Sequence, residues 1–175
     1  MGCDSLFHGK IVSDTEAENI TRVEELAYEL KVGEVMTPDP ATVTPDTPMS
    51  EILELFRQKR ISGAPVVENN QLAGLVSIED LLRCLQKSDL DAETRVYMST
   101  NALTIKDTDP VIEALKFFVS SHYGRLPVLD HAGKLTGILT KGDITSGILK
   151  AMQHDYQEEE VRRYRASHLF EDIES

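Results

Sequence analysis

The chain has 175 residues, of which 41% are hydrophobic and 27% are charged, a composition typical of a globular protein with a buried core. Its formal net charge of -12 argues against a nucleic-acid partner, because proteins that bind a phosphate backbone usually present a basic face. No apolar run is long enough for a membrane segment, and residues 1–10 lack the apolar core of a signal peptide. The two cysteines, Cys3 and Cys84, predict reduced thiols in the cytoplasm rather than a disulfide framework.

The predicted elements begin with an amphipathic helix over residues 15–30, whose apolar residues recur on one stripe. A strand over 41–44, a helix over 49–59, strands over 64–67 and 72–77, and a helix from Ile78 follow. The same order then returns as a strand over 103–106, a helix over 111–121, strands over 126–129 and 135–140, and a helix from Gly142. A polar turn separates the paired strands in each half, which predicts two hairpins.

This recurrence is an internal duplication. Pro65 and Pro127 are 62 residues apart, and after one extra residue in the second hairpin turn Asp80 and Asp143 are 63 apart. Two copies predict an α/β fold of two pseudo-symmetric strand-helix-strand-strand-helix repeats rather than a solenoid, which needs at least three. The predicted divisions are a helical extension at 1–31, repeats at 32–88 and 89–150, and an acidic C-terminal helix or linker at 151–175.

Each repeat carries the same short motif where its last strand becomes a helix. Residues 74–80 and 137–143 both read Gly, two apolar residues, Ser or Thr, two variable residues and Asp. The hydroxyl and the carboxylate suit the ribose and phosphate of a nucleotide beside a helix start. A Ser or Thr followed three residues later by Asp is also an ordinary helix cap. Two copies in register favour a ligand site, although both roles can coexist.

Together with Met36-Thr37-Pro38 and residues 61–67 and 123–128, these motifs resemble a tandem pair of CBS domains over about 32–150. The resemblance implies two domains packed sheet to sheet into a non-catalytic regulatory module, usually a homodimer. It also implies two clefts for an adenosyl ligand, namely AMP, ADP, ATP or S-adenosylmethionine. The expected function is a sensor that binds an adenine nucleotide and signals to a partner or downstream domain.

The resemblance assigns residues to two unequal clefts. In the main cleft Asp143 is expected to hold the ribose, Thr140 the phosphate end, and Arg125 the phosphate itself. The adenine is expected to be enclosed by Thr37, Ala41, Ile61 and Ile138. His122, three residues before Arg125, is the one histidine expected within reach of a phosphate.

In the second cleft Asp80 and Ser77 are expected to play the matching parts. The base is expected to lie among Leu75, Leu103 and Tyr123. Because Gly63 corresponds to Arg125, this cleft is expected to lack a cation of its own and to bind its ligand more weakly.

Two other classes of function are less well supported. One is a purely structural dimerisation module with empty clefts, against which the Asp, Thr and Arg set argues. The other is an enzyme, but no nucleophile with a base, no Gly-x-x-x-x-Gly-Lys loop and no paired histidine spacing for a metal occurs in the sequence. The charged stretch before Ser175 suggests a linker to an effector domain that would follow it.

Overall fold

A computed structural model describes residues 14–121 and 123–171 of the chain, with side chains over 18–121 and 123–162. The helices are α1 (Asp14–Glu29), α2 (Val32–Val35), α3 (Met49–Lys59), α4 (Ile78–Gln86), α5 (Val111–Ser120) and α6 (Lys141–Glu171), with a 3-10 turn at Thr94–Val96. The strands are β1 (Thr37–Pro38), β2 (Gly63–Glu68), β3 (Gln71–Ser77), β4 (Ile105–Lys106), β5 (Arg125–Leu129) and β6 (Leu135–Thr140). The mixed α/β fold and its two repeats are confirmed.

Both predicted hairpins are confirmed, and local chemistry explains their turns. Strands β2 and β3 pair antiparallel through Asn69 and Asn70, which both have positive φ, a conformation that asparagine tolerates better than most residues. Strands β5 and β6 pair in the same way. In their longer turn the Asp130 carboxylate accepts hydrogen bonds from the amides of Lys134 and Ala132, which lower its pKa.

The two repeats exchange edge strands. Strand β1, near the start of repeat 1, pairs antiparallel with β6 of repeat 2, so that the larger sheet has the order β1-β6-β5-β4. In the smaller sheet, Ser99, near the start of repeat 2, bridges to Leu75 of β3. Val43 bridges in parallel to Val66, as β4 pairs with β5. The two sheets therefore have the same strand order, but in repeat 1 each of the two edge pairings is a single bridge.

The two hydrophobic cores are also completed by exchange. Val32, in α2 at the start of repeat 1, is fully buried in the core of repeat 2. Tyr97, in the first segment of repeat 2, is buried in the core of repeat 1. Matching backbone hydrogen bonds hold both segments: the Val32 amide donates to the Asp109 carbonyl at 2.9 Å, and the Thr94 amide donates to the Thr47 carbonyl at 2.8 Å.

Several predicted boundaries were wrong. The strand predicted at 41–44 is a single bridge at Val43, and only Ile105 and Lys106 of the strand predicted at 103–106 pair with a neighbour. Short two-residue pairings leave little periodicity to read. The predicted N-terminal helix is confirmed as α1, which packs on α5 and α6. Arg22 of α1 forms an ion pair with Asp155 of α6 at 2.8 Å. Within the described ranges, no helix is long and apolar enough to cross a membrane.

The exchanged core predicts that the two repeats unfold together. Val32→Ala should lower the free energy of unfolding by about 2 kcal/mol, because two buried methyl groups are lost and a small cavity remains. Chemical denaturation followed by circular dichroism should show one cooperative transition. Val96→Ala is the matched control, since Val96 is 64% exposed and should change the stability little. Two separate transitions, with only one shifted by Val32→Ala, would contradict the exchange.

Candidate functional site

The two Ser/Thr–Asp motifs lie at the starts of α4 and α6 and form the same helix cap. In repeat 2 the Asp143 carboxylate accepts hydrogen bonds from the Thr140 amide and hydroxyl, both at 2.7 Å. In repeat 1 the Asp80 carboxylate accepts them from the Ser77 amide and hydroxyl, both at 2.8 Å. The capping role is therefore confirmed for both copies, and each leaves one carboxylate oxygen, Oδ1, outside the cap.

The main cleft is a cavity of about 320 Å³ between the repeats, within the range of roughly 300–1,000 Å³ usual for small-molecule sites. The four residues expected around the base all line it, namely Thr37, Ala41, Ile61 and Ile138. The rest of its wall consists of Asp39, Pro40, Lys59, Gly63 and Pro65. Its apolar walls come from both repeats, since Ile61 precedes β2 and Ile138 lies on β6.

Thr140 and Asp143, which were also expected in the main cleft, do not line this cavity, but Asp143 is joined to it through Thr37. The Thr37 hydroxyl donates to Asp143 Oδ1 at 3.2 Å, and the Thr140 hydroxyl reaches Oδ2 of the same carboxylate. Asp143 is half-buried. The weak, long bond from Thr37 leaves Oδ1 able to accept a further hydrogen bond from a ligand hydroxyl.

The second cleft is a smaller cavity of about 200 Å³. All five residues expected there line it: Leu75, Ser77, Asp80, Leu103 and Tyr123. Its wall also contains Glu79, Ser99, Ala102, Gly124, Arg125 and Pro127. Like the main cleft, it is built from both repeats, with β3 on one side and β5 on the other.

The two carboxylates differ in their surroundings. Asp80 is only 5% exposed, and its Oδ1 forms an ion pair with Arg83, one turn further along α4. Arg83 also donates to the Tyr97 carbonyl at 3.0 Å, which fixes the guanidinium in place. The residue of α6 that corresponds to Arg83 is Ser146. Among the described residues no arginine pairs with Asp143 Oδ1, whereas the equivalent oxygen of Asp80 is ion-paired with Arg83.

The assignment of Arg125 to the main cleft was wrong in one respect. Its side chain lines the second cleft, whereas Gly63 lines the main one. The reason is the crossing of the two repeats: each cleft combines the helix start of one repeat with the first strand of the other. Arg125, which corresponds to Gly63, therefore lines the same cleft as Asp80. The second cleft thus has the cation that it was expected to lack.

The Arg125 guanidinium extends across the boundary between the clefts. It donates to the Ser62 hydroxyl at 2.6 Å and lies against Gly63, where an added Cβ would overlap it. Burial lowers the pKa of Arg125, and the carboxylate of Glu79 partly offsets this. The pKa of Glu79 is itself lowered, first by a hydrogen bond from its own amide and further by the charge of Arg125.

Sequence reasoning missed four charged residues at the site. Asp39 and Lys59 line the main cleft, while Glu79 and Arg83 alter the charge around Asp80. Because Arg83 follows Asp80 by three residues in a helix, the ion pair could have been predicted from the sequence. Lys59 carries no such signal, because its approach depends on tertiary packing. His122, expected near the phosphate, lies outside the described residues.

Other features of the surface are less suited to a nucleotide. A wider depression of about 830 Å³ lies beside α3 and is lined by Glu51, Glu54 and uncharged residues. Its carboxylates would repel a phosphate. Over the ranges that the structure describes, no group of three or more His, Cys, Asp or Glu is placed to hold a metal ion.

Comparison with known proteins identifies the repeats. The family model described as CBS domain matches residues 32–87 and 92–150. The uncharacterized protein MJ1232 of Methanocaldococcus jannaschii is 31% identical over 143 residues, which cover 79% of this chain and 48% of that protein. The chain thus spans about half the length of this curated relative.

Two solved structures are similar in fold. The crystal structure of Arabidopsis thaliana CBSX2 in complex with AMP has a TM-score of 0.64 and 33% identity, and the match covers 70% of this chain and 98% of that one. The CBS domain pair of MJ0100, in complex with 5-methylthioadenosine and S-adenosyl-L-methionine, has a TM-score of 0.62 and 20% identity, and the match covers 67% of this chain and 94% of that one. The second likeness shows the fold alone.

Proposed function

The chain belongs to the CBS-domain family as a tandem pair, and from this we propose that it is a non-catalytic regulatory module that binds an adenine nucleotide in its main cleft. The expected ligand is AMP, ADP or ATP. Its occupancy would bias a partner or an attached effector domain. The AMP bound to CBSX2 supports the ligand class.

The observation that carries this proposal is the joint placement of an apolar slot and a partly free carboxylate. Ala41, Ile61 and Ile138 wall the main cleft and would enclose the faces of an adenine ring. Asp143 Oδ1, which only Thr37 contacts within the described structure, would accept the ribose hydroxyls.

The phosphate would lie at the start of α6. The amides of the first turn of a helix carry partial positive charge and bind anions. Gly142 stands there without a side chain, whereas the corresponding residue of α4 is Glu79. A phosphate in the main cleft would therefore meet no carboxylate at this position, and this favours the main cleft over the second.

The first prediction concerns Asp143. Asp143→Ala should lower the affinity for AMP by at least about tenfold, because a hydrogen bond to a charged group contributes roughly 1.5–3 kcal/mol. Isothermal titration calorimetry would measure the loss. The loss of the helix cap should cost about 1 kcal/mol of stability, so the fold should persist, which thermal unfolding would check. Asp91→Ala is the control, since Asp91 is exposed and lines neither cleft. Unchanged affinity would leave Asp143 as a helix cap only.

A second prediction uses the unequal carboxylates. Ser146→Arg should place a guanidinium beside Asp143, as Arg83 lies beside Asp80, and should weaken adenosine binding in the main cleft about fivefold. Arg83→Ser should release Asp80 and strengthen adenosine binding in the second cleft by a similar factor. Fivefold corresponds to about 1 kcal/mol, the usual upper value for an ion pair whose cation is largely exposed, as Arg83 is. Methyl NMR of Ile138 and Leu75 would report the two clefts separately. Changes of the same sign in both variants would contradict the proposed role of the carboxylates.

We also infer that the module forms a homodimer through the helical face of repeat 1. Leu115 and Ile148 of repeat 2 are partly buried against its core, and α1 packs on the helices that carry them. The corresponding residues of repeat 1, Leu53 and Leu85, are exposed, as is Leu82 on the same helix as Leu85. A second copy would cover this apolar face, and the long helix α6 would extend the contact.

The dimer is tested by sedimentation equilibrium at tens of micromolar. The unmodified protein should show twice the monomer mass of 19.5 kDa. Leu85→Glu should shift the mass toward that of the monomer, because a charge on the apolar face would be buried in the contact. Val96→Glu, an equally polar change at another exposed site, should leave the dimer intact. A monomeric unmodified protein would refute the inference.

A further inference from the structure

Arg125 occupies a special place between the two clefts. It lies at the start of β5, where its ladder partner on β6 is Thr140, the hydroxyl residue that caps the helix beside Asp143. Its guanidinium extends to Gly63, whose ladder partner on β3 is Ser77, the hydroxyl residue of the second cleft. The positive charge is thus near both of the places where a phosphate is expected.

Gly63 makes this position possible. Positions 63 and 125 correspond in the two repeats and face each other, so that two long side chains would collide there. At Gly63 an added Cβ would lie 2.6 Å from Cζ of Arg125, which is far inside van der Waals contact. The buried glycine therefore gives space to one guanidinium, and among the described residues that line the two cavities Arg125 is the only arginine.

Resting on the proposed nucleotide binding, we propose that Arg125 is a phosphate-binding residue shared by the two clefts, which couples them. Its present hydrogen bond is to an exposed neutral hydroxyl, that of Ser62, and a phosphate oxygen would be a stronger acceptor. A guanidinium that turns toward one phosphate is less available to another.

The consequence is negative coupling that depends on the phosphate. AMP bound in one cleft should weaken AMP binding in the other by at least about fivefold, the low end of measured coupling between sites. Adenosine, which lacks the phosphate, should bind the two clefts independently. Methyl NMR titrations would resolve the two events, with Ile138 reporting the main cleft and Leu75 the second, since each lines one cavity only.

The first variant removes the shared charge. Arg125→Gln should reduce the preference for AMP over adenosine by about tenfold or more in both clefts and should abolish the coupling. Adenosine affinity should change little, which also shows that the fold persists. Arg57→Gln is the matched control, because Arg57 is exposed and lines neither cleft, so it should leave the phosphate preference in place. Lys59→Gln tests whether the other cation of the main cleft carries that preference instead. If Arg125→Gln removed the preference in the second cleft alone, the shared role would be refuted. It would also be refuted if Lys59→Gln, and not Arg125→Gln, removed the preference in the main cleft.

The second variant displaces the guanidinium without removing it. Gly63→Ala introduces a Cβ that overlaps the mobile end of Arg125, while the nearest backbone atom, the Val76 carbonyl oxygen, is 3.0 Å away. The main cleft should lose its preference for AMP, the second should retain it, and the coupling should disappear. Retained coupling in a variant that still binds adenosine would refute the proposal.

The proposed nucleotide binding and the shared role of Arg125 can be refuted separately. If the unmodified protein binds neither AMP nor adenosine, the proposed function is wrong and the shared arginine is refuted with it. If it binds both, but Arg125→Gln leaves the phosphate preference and the coupling unchanged, only the shared arginine is refuted. Coupling of equal size with adenosine would likewise refute it, since the phosphate would then not carry the effect.

Discussion

The structure depends on one reciprocal exchange between its halves. The amide of Val32 bonds to the carbonyl of Asp109, and the amide of Thr94 bonds to that of Thr47, with nearly the same distance at both places. Each of these bonds ties the segment that enters one repeat to the other repeat. Val32 and Tyr97, at or near these hydrogen bonds, are each buried in the core of the opposite repeat. Neither half has a complete core alone, and the relative position of the two is therefore fixed by packing rather than by a linker.

This constraint creates the clefts and makes them alike. Because the entry segment of one repeat pairs with the last strand of the other, each cleft takes one wall from each half. The pseudo-symmetry gives both clefts a helix start capped by a hydroxyl and a carboxylate. The differences then come from few positions, and they act in opposite directions: the second cleft has a nearby guanidinium but an ion-paired carboxylate, while the main cleft has the freer carboxylate and the larger volume.

Local chemistry explains which features could be predicted from the sequence. The hairpin turns and the two caps are encoded by residues three or four apart, and all were confirmed. The duplication predicted the two halves, and the resemblance to CBS domains predicted four of the nine residues that line the main cavity and five of the eleven that line the second. The exchange of strands could not be predicted, because β1 and β4 are two residues long and their partners are distant in sequence. The misplacement of Arg125 has the same origin. The backbone of Arg125 pairs with Thr140 on β6, but the side chain of Arg125 lines the second cavity. Only the crossing of the repeats decides which cavity that side chain reaches.

The helices that begin at the two caps differ in a way that bears on signalling. The helix that starts beside Asp80 has nine residues, and buried Leu81 and Cys84 attach it to the core of repeat 1. The helix that starts beside Asp143 has 31 residues, a length of about 46 Å. It leaves the domain and meets α1 through the ion pair of Arg22 with Asp155. A ligand at Asp80 would act on the short helix that carries Leu82 and Leu85 of the proposed dimer face. A ligand at Asp143 would act on the first turn of the long helix that packs on α1, so the main cleft is the one from which a change in helix position could reach the segment after repeat 2.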